Sequence, residues 1–193
     1  MSTKNLVISL RFLAMSTLVL GFAYTALVTA AAKLLCPEAA EGSKVIREGR
    51  VIGSEWLAQK TTDPRYFWPR PSAADYATVA SGGSNQGPLS KSLRAAVDVR
   101  RGEWVKAHGE GAPIPAEMLL ASGSGLDPHV SPATARAQAA RVAAARGLEP
   151  ARVTQLVDTL SQGPTWGILG EPRVNILLLN VALDEVSAGE SHR

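Results

Sequence analysis

Residues 12–32, FLAMSTLVLGFAYTALVTAAA, form a run of about 21 residues without a charged side chain. Wound as an α-helix, that length spans roughly 30 Å, the thickness of a bilayer's hydrocarbon core. Lys4 and Arg11 precede the run and Lys33 closes it. A cleaved signal peptide is the rival reading, because Ala30, Ala31 and Ala32 resemble a small-residue cleavage site. Its apolar core would be only about 7–15 residues, so a retained anchor is expected. Cys36 follows Leu35 rather than a small residue, and Pro37 comes next, which argues against a lipidated cysteine. The amino terminus, Lys4 and Arg11 outweigh Lys33 by the positive-inside rule. That places residues 1–11 in the cytoplasm, 12–32 across the membrane and 36–187 on the outer face.

The formal net charge of +3 comes from the anchor alone. Three of the 20 Lys and Arg are Lys4, Arg11 and Lys33, so the remaining 17 balance the 17 Asp and Glu, all of which follow residue 37. No basic stripe is left for phosphate contacts, which excludes nucleic acid as the expected partner. A single cysteine, Cys36, excludes an intramolecular disulfide, and one Cys with three scattered His (His108, His129, His192) gives no metal site.

The rest reads as one α+β domain. Residues 44–53 alternate apolar and polar around Glu48-Gly49, the pattern of a hairpin. Ser54 is placed to cap a short helix over 55–59 that carries Trp56 and Leu57 inward. Residues 63–71, DPRYFWPRP, are too proline-rich for helix or sheet interior, and Tyr66, Phe67 and Trp68 are expected to wedge this loop onto the core. A helix is predicted over 88–101 with Leu89, Leu93, Ala96 and Val97 on one face, followed by a polar surface loop over 102–115. Residues 118–120 suggest a strand. Ser131-Pro132 reads as the N-cap and first turn of an alanine-rich helix over 132–146, stopped by Gly147. Pro150 starts another helix, with Val153, Leu156, Val157 and Leu160 spaced for burial. The apolar run 173–183, RVNILLLNVAL, is predicted to be a buried strand, too short to cross a membrane. Residues 188–193 are expected to be a disordered tail.

The segment 121–132, ASGSGLDPHVSP, sets Ser122, Ser124, Asp127 and His129 close together and invites a hydrolase reading. Ser124, Asp127 and His129 occupy six consecutive residues, too few to bring a serine and an aspartate to opposite nitrogens of one imidazole. G-x-S-x-G is absent, and a triad would have to borrow Asp98 or Asp184. Residues 80–88, ASGGSNQGP, are glycine-rich before a helix, yet lack the Gly-Lys-Ser/Thr ending of a phosphate loop. Gly123 and Gly125, the Asp127-Pro128 turn and the Ser131-Pro132 helix start are all accounted for by a rigid joint. Glu171-Pro172-Arg173 fits a tether at the start of the apolar run, and Asn175 and Asn180 inside that run require hydrogen-bond partners if buried.

Four phrases resemble the C-subunit family of the bacterial Kdp potassium-transporting ATPase: 66–73, YFWPRPSA; 80–88; 121–132; and 169–183, LGEPRVNILLLNVAL. Their order, the single anchor and the length also fit that family, and the likeness covers nearly the whole chain. Gln86 stands where an aliphatic residue is expected, and Ala58 where glycine is expected. The resemblance implies a non-catalytic accessory subunit that partners a potassium-binding A subunit, an ATP-hydrolysing B subunit and a small F subunit. Such a subunit is needed for assembly and raises the ATP affinity of B as a catalytic chaperone. ATP and potassium are then handled by the complex, with no cofactor, metal or catalytic residue assigned to this chain. A periplasmic domain cannot touch a cytoplasmic ATP site, so any such effect is indirect. The motif residues implied as family signature or interface are Tyr66, Arg70, Pro71 and Ser72 in the first phrase. Ser81, Gly82, Gly83, Ser84 and Asn85 come from the second. Ser122, Gly123, Ser124, Gly125, Asp127, Pro128, His129 and Ser131 come from the third, and Glu171, Arg173 and Asn175 from the last. The alternative left open is an independent membrane-anchored periplasmic hydrolase or ligand-binding module.

Overall fold

The computed structural model describes residues 3–191, with side-chain surroundings up to residue 187. The chain divides into two compact units, residues 1–44 and 45–193. In the first, α1 (Thr3–Ser16), a π-helical stretch (Thr17–Tyr24) and α2 (Thr25–Leu35) join into one unbroken helix, and a short α3 (Pro37–Ala40) follows. The combined helix, Thr3–Leu35, is 33 residues long, apolar enough to cross a membrane, and buries none of its apolar window. Thr25 Oγ1 donates to Leu20 O at 3.3 Å, the five-residue reach of π winding. The helix thus runs beyond the uncharged segment at both ends.

The second unit is the expected α+β fold. Strands β1 (Lys44–Arg47) and β2 (Arg50–Ser54) form the hairpin, turning on Glu48 (φ 50°) and Gly49 (φ 73°). Both turn residues take the positive φ that a tight two-residue hairpin loop needs. A long irregular segment leads to α4 (Lys91–His108) and a single turn, α5 (Ala116–Leu119). Strand β3 (His129–Val130) pairs antiparallel with β4 (Val174–Asn175), matching His129 to Asn175 and Val130 to Val174. Between them lie α6 (Pro132–Arg146) and α7 (Pro150–Leu160), and α8 (Ile176–Ser191) leaves directly from β4.

Helix α6 is the spine. Ser131 Oγ accepts from Thr134 N at 3.1 Å, Pro132 stands in the first turn, and Gly147 closes the helix at φ 67°. Ala135, Ala139, Val142 and Ala143 are buried, and their small side chains allow close approach by Val153 and Val157 of α7, while Leu179 and Leu183 of α8 are buried in the same core. Phe67 is fully buried in the same core, so the proline-rich loop is wedged in as expected.

Side chains take over where that loop has no sheet partner. Asn180 of α8 accepts from Phe67 N at 2.8 Å and donates to Phe67 O at 3.0 Å. Gln138 of α6 does the same to Trp68, at 2.8 and 3.1 Å. Each amide mimics a neighbouring strand and meets the rule that buried backbone groups are paired. Arg141 adds donors to Pro64 O (2.7 Å) and Tyr66 O (3.1 Å), and its guanidinium lies 4.3 Å from the Trp68 ring centroid.

Several elements differ from the sequence expectation. The run 173–183 is not a strand: after β4 it is helical, with Ile176, Leu179 and Leu183 facing inward. An uninterrupted apolar run of about 11 residues fits either state, and here Asn175 Oδ1 accepts from Leu178 N at 3.1 Å and starts the helix. That helix continues through residues 188–191, where a disordered tail was expected; residues 192 and 193 lie outside the described residues. Helix α4 starts at Lys91, capped by Ser90, rather than at Pro88, and it runs through Gly102 to His108 where a loop was predicted. Its inward stripe includes Arg100, Trp104 and His108, so polarity hid the period, and Leu89 is exposed outside the helix. Residues 118–120 belong to the α5 turn and its exit rather than a strand. Residues 55–59 form a turn, not a helix, with Trp56 exposed and Ala58 buried instead.

Candidate functional site: a charged groove at the motif loops

The two glycine-rich phrases that rhyme in sequence touch in space. A Cβ on Gly83 would lie 3.2 Å from Gly123 O, and one on Gly125 would lie 2.8 Å from Gly82 O. Gly125 also holds φ +70°, so this contact excludes a side chain on two counts. Ser72 Oγ accepts from Ala74 N (3.1 Å) and Tyr76 N (3.0 Å), and Ser122 N donates to Pro71 O (3.0 Å). The first, second and third phrases are thereby stitched into one loop cluster. Ser81, Ser84 and Asn85 stay exposed, with Asn85 at φ 50°.

Beside the cluster runs a groove of ≈ 820 Å³ whose lining includes Arg70, Asp127, His129, Ser131, Glu171 and Arg173. These six motif residues come from three separate phrases. Arg70 Nη1 donates to Asp127 Oδ2 at 3.0 Å, while Asp127 Oδ1 accepts from His129 N at 3.0 Å. Glu117 and Arg136 also line the groove and were not singled out in the sequence. Glu117 accepts from Ser131 Oγ at 2.6 Å and from Ser131 N at 3.1 Å, and so braces the start of α6. No local pattern marks it, because it arrives from 14 residues upstream.

The chemistry of a hydrolase does not assemble. Ser124 Oγ is exposed and accepts from Leu126 N at 3.1 Å, a local turn contact. His129 Nδ1 stands 3.7 Å from Asp127 Oδ1, beyond hydrogen-bond range. Partial burial holds the His129 pKa below its usual value; Asp127 opposes this and Arg173 adds to it. Asp184, the other carboxylate considered for a triad, is engaged elsewhere by Arg146, Arg47 and Tyr66. Asp98 lies on the exposed side of α4. No group of three or more His, Cys, Asp or Glu is arranged for a metal among the described residues.

Not every motif residue joins the groove. Tyr66 lies under Arg146, whose guanidinium is 4.6 Å from its ring centroid. Pro128 is buried against a separate cavity, and Pro71 and Ser72 line another beside α4. Asn175 donates to Glu55 O at 2.7 Å and caps α8, so its two polar atoms are used by the fold.

The described residues thus present a helix apolar enough to cross a membrane, an α+β domain and, in that domain, a groove lined by ion pairs and loop caps, the layout of a single-anchor protein. Among the described residues, the motif side chains line this groove without forming a Ser–His–Asp arrangement. The family model described as K+-transporting ATPase, c chain (KdpC) matches residues 6–185, and the chain belongs to that family. It is 49% identical over 175 residues to the potassium-transporting ATPase KdpC subunit of Dechloromonas aromatica (strain RCB), covering 89% of this chain and 92% of that one. The KdpC subunit of Sorangium cellulosum (strain So ce56) is 52% identical over 168 residues, covering 85% and 88%. That of Methylococcus capsulatus (strain ATCC 33009 / NCIMB 11132 / Bath) is 50% identical over 172 residues, covering 87% and 90%.

Proposed function

We propose that this chain is a non-catalytic accessory subunit of an ATP-driven potassium uptake complex. It is anchored in the inner membrane by residues 12–32 of the Thr3–Leu35 helix, with residues 1–11 cytoplasmic and the domain periplasmic. Its partners are the potassium-binding A subunit, the ATP-hydrolysing B subunit and the small F subunit. The chain supports assembly and raises the ATP affinity of B indirectly, by biasing a conformational equilibrium of the complex. The observation that carries this reading is the groove, where motif side chains from separate phrases converge while their hydrogen bonds serve positioning rather than proton transfer. The groove and the exposed loop around Asn85 are the surfaces assigned to the A subunit, near its potassium entrance.

Photo-crosslinkers at Tyr66, Asn85 and His129 in intact membranes test the assignment. Capture of the A subunit from Asn85 and His129, but not from the packed Tyr66, is the expected outcome. Substrate turnover by the isolated domain, abolished by Ser124→Ala or His129→Ala, would overturn the non-catalytic reading. Protease protection of the domain from outside in spheroplasts would overturn the orientation.

A further inference from the structure

Residues 162–170, QGPTWGILG, carry no charge, and their tip is a small closed turn. Gln162 and Arg173 exchange hydrogen bonds at 2.8 and 2.9 Å at its base. Nearer the tip, Thr165 and Leu169 do so at 2.8 and 3.0 Å, and Gly167 N reaches Pro164 O at 3.0 Å. These bonds hold the tip in one closed conformation. Trp166 is nonetheless 85% exposed and Ile168 82% exposed, with Leu169 half exposed beside them. Trp166 also holds φ 55°, an unfavourable angle for a bulky side chain, which the surrounding hydrogen bonds maintain.

We propose that residues 163–170 form a membrane-contacting finger that seats the Trp166 indole and the Ile168 side chain in the interfacial layer of the bilayer. The occupant follows from three features. An indole with branched aliphatic neighbours is the composition favoured at the boundary of water and hydrocarbon. The Thr165–Leu169 bridge and the Gly167 N to Pro164 O bond pair part of the tip's backbone internally, which lowers its cost of leaving bulk water. The flanking charges, Glu171 and Arg173, sit at the base, where headgroups and water can solvate them. Only residues 36–43 separate the apolar helix from β1, an extended span of at most about 30 Å. This inference rests on the anchor reading of Thr3–Leu35 and is independent of which face of the membrane the domain occupies.

The test uses the full chain alone in phosphatidylcholine/phosphatidylglycerol vesicles, with and without bromine on the acyl chains. Subtracting the emission of Trp166→Ser from that of wild type isolates Trp166; the change removes an exposed side chain, and circular dichroism checks that the fold is kept. An Ile168→Ser variant supplies a second readout by weakening the lipid contact while leaving the indole in place. The expected result is Trp166 emission shifted to shorter wavelength, quenched by brominated lipid and shielded from aqueous iodide, with that quenching reduced by Ile168→Ser. Emission open to iodide and indifferent to bromine would overturn the finger, including the case where Trp166 is shielded only after partner subunits are added. Alkaline extraction of the same vesicles separates the two readings. Chain that is released fails the anchor and the finger together, whereas chain that is retained with a wet Trp166 fails the finger alone.

Discussion

Arg146 Nη2, at the end of α6, donates to Asp184 Oδ1 of α8 at 2.7 Å, and the arginine side chain is only 10% exposed. The same guanidinium donates to Arg65 O at 2.7 Å and Ser187 Oγ at 3.1 Å and covers the Tyr66 ring. Asp184 in turn accepts from Arg47 of the hairpin at 2.6 Å and Tyr66 Oη at 3.2 Å. One ion pair thus ties two helices, the aromatic loop and the first hairpin. We expect Arg146→Ala to cost about 2–3 kcal/mol, and Arg146→Lys about half as much because charge remains while the planar fork is lost. Urea denaturation of the soluble domain measures both, and equal costs would mean that the planar fork alone, not the charge, matters.

The amide clamps give a second prediction. Asn180→Leu should cost about 2–3 kcal/mol by leaving Phe67 N–H and C=O unpaired in the core. Gln138→Glu should also destabilise, because a carboxylate oxygen would then face Trp68 O in place of a donor. Hydrogen exchange at the Phe67 and Trp68 amides should accelerate in both variants while the α7 amides change less.

Two nearby glycines should behave oppositely. Gly125→Ala forces a Cβ to 2.8 Å from Gly82 O at a φ of +70°, so it should separate the two motif loops and weaken capture of the partner subunit. Gly123→Ala meets nothing within 4 Å and should be close to neutral. Thermal unfolding and co-purification compare the two, and similar losses for both would argue against loop contact as the cause.

His108 makes the domain sensitive to acid. Its Nδ1 lies 3.0 Å from Trp104 O and its Nε2 accepts from Arg141 Nε at 3.0 Å, while its ring stacks on Trp104 at 3.7 Å. Burial first, and the Arg141 charge as well, lower its pKa below 6.5, against the opposing bond to Trp104 O. Burial likewise lowers Arg141 to about 10. The neutral imidazole is the folded form, so the unfolded chain binds more protons as pH falls below 6.5. Stability present above that pH should decline from there down to the folded pKa. His108→Gln should flatten part of this slope, and His129, shifted in the same direction, should account for more of it. Chemical denaturation from pH 7 to pH 4 measures the slope, and an unchanged slope in His108→Gln would exclude this residue.

Deleting residues 1–35 should leave a folded domain, since residues 45–193 form a compact unit with their own core. The truncated chain should no longer join the complex stably. Wild-type potassium transport by the truncated form would remove the anchor from assembly.

Much of the candidate site was legible locally. Ser131-Pro132 and Gly147 announce the ends of α6 because caps act within a few residues. The Glu48-Gly49 hairpin and the rejection of a triad by spacing rest on equally short-range geometry. Glu117 was not legible, because its partner Ser131 is met only through the fold, and Trp104 and His108 were hidden by the charged residues around them, Arg100, Arg101, Glu103 and Lys106.

By itself, then, the sequence determined the apolar helix, the caps, the hairpin and the family phrases, all features settled by composition or by neighbours a few residues apart. Only the tertiary structure decided that RVNILLLNVAL is a helix after β4, that Asn180 and Gln138 serve as strand surrogates for Phe67 and Trp68, and that the two glycine loops meet. Those outcomes depend on contacts between residues roughly 40 to 110 positions apart, whose free energy exceeds local preference and leaves no periodic trace in the chain.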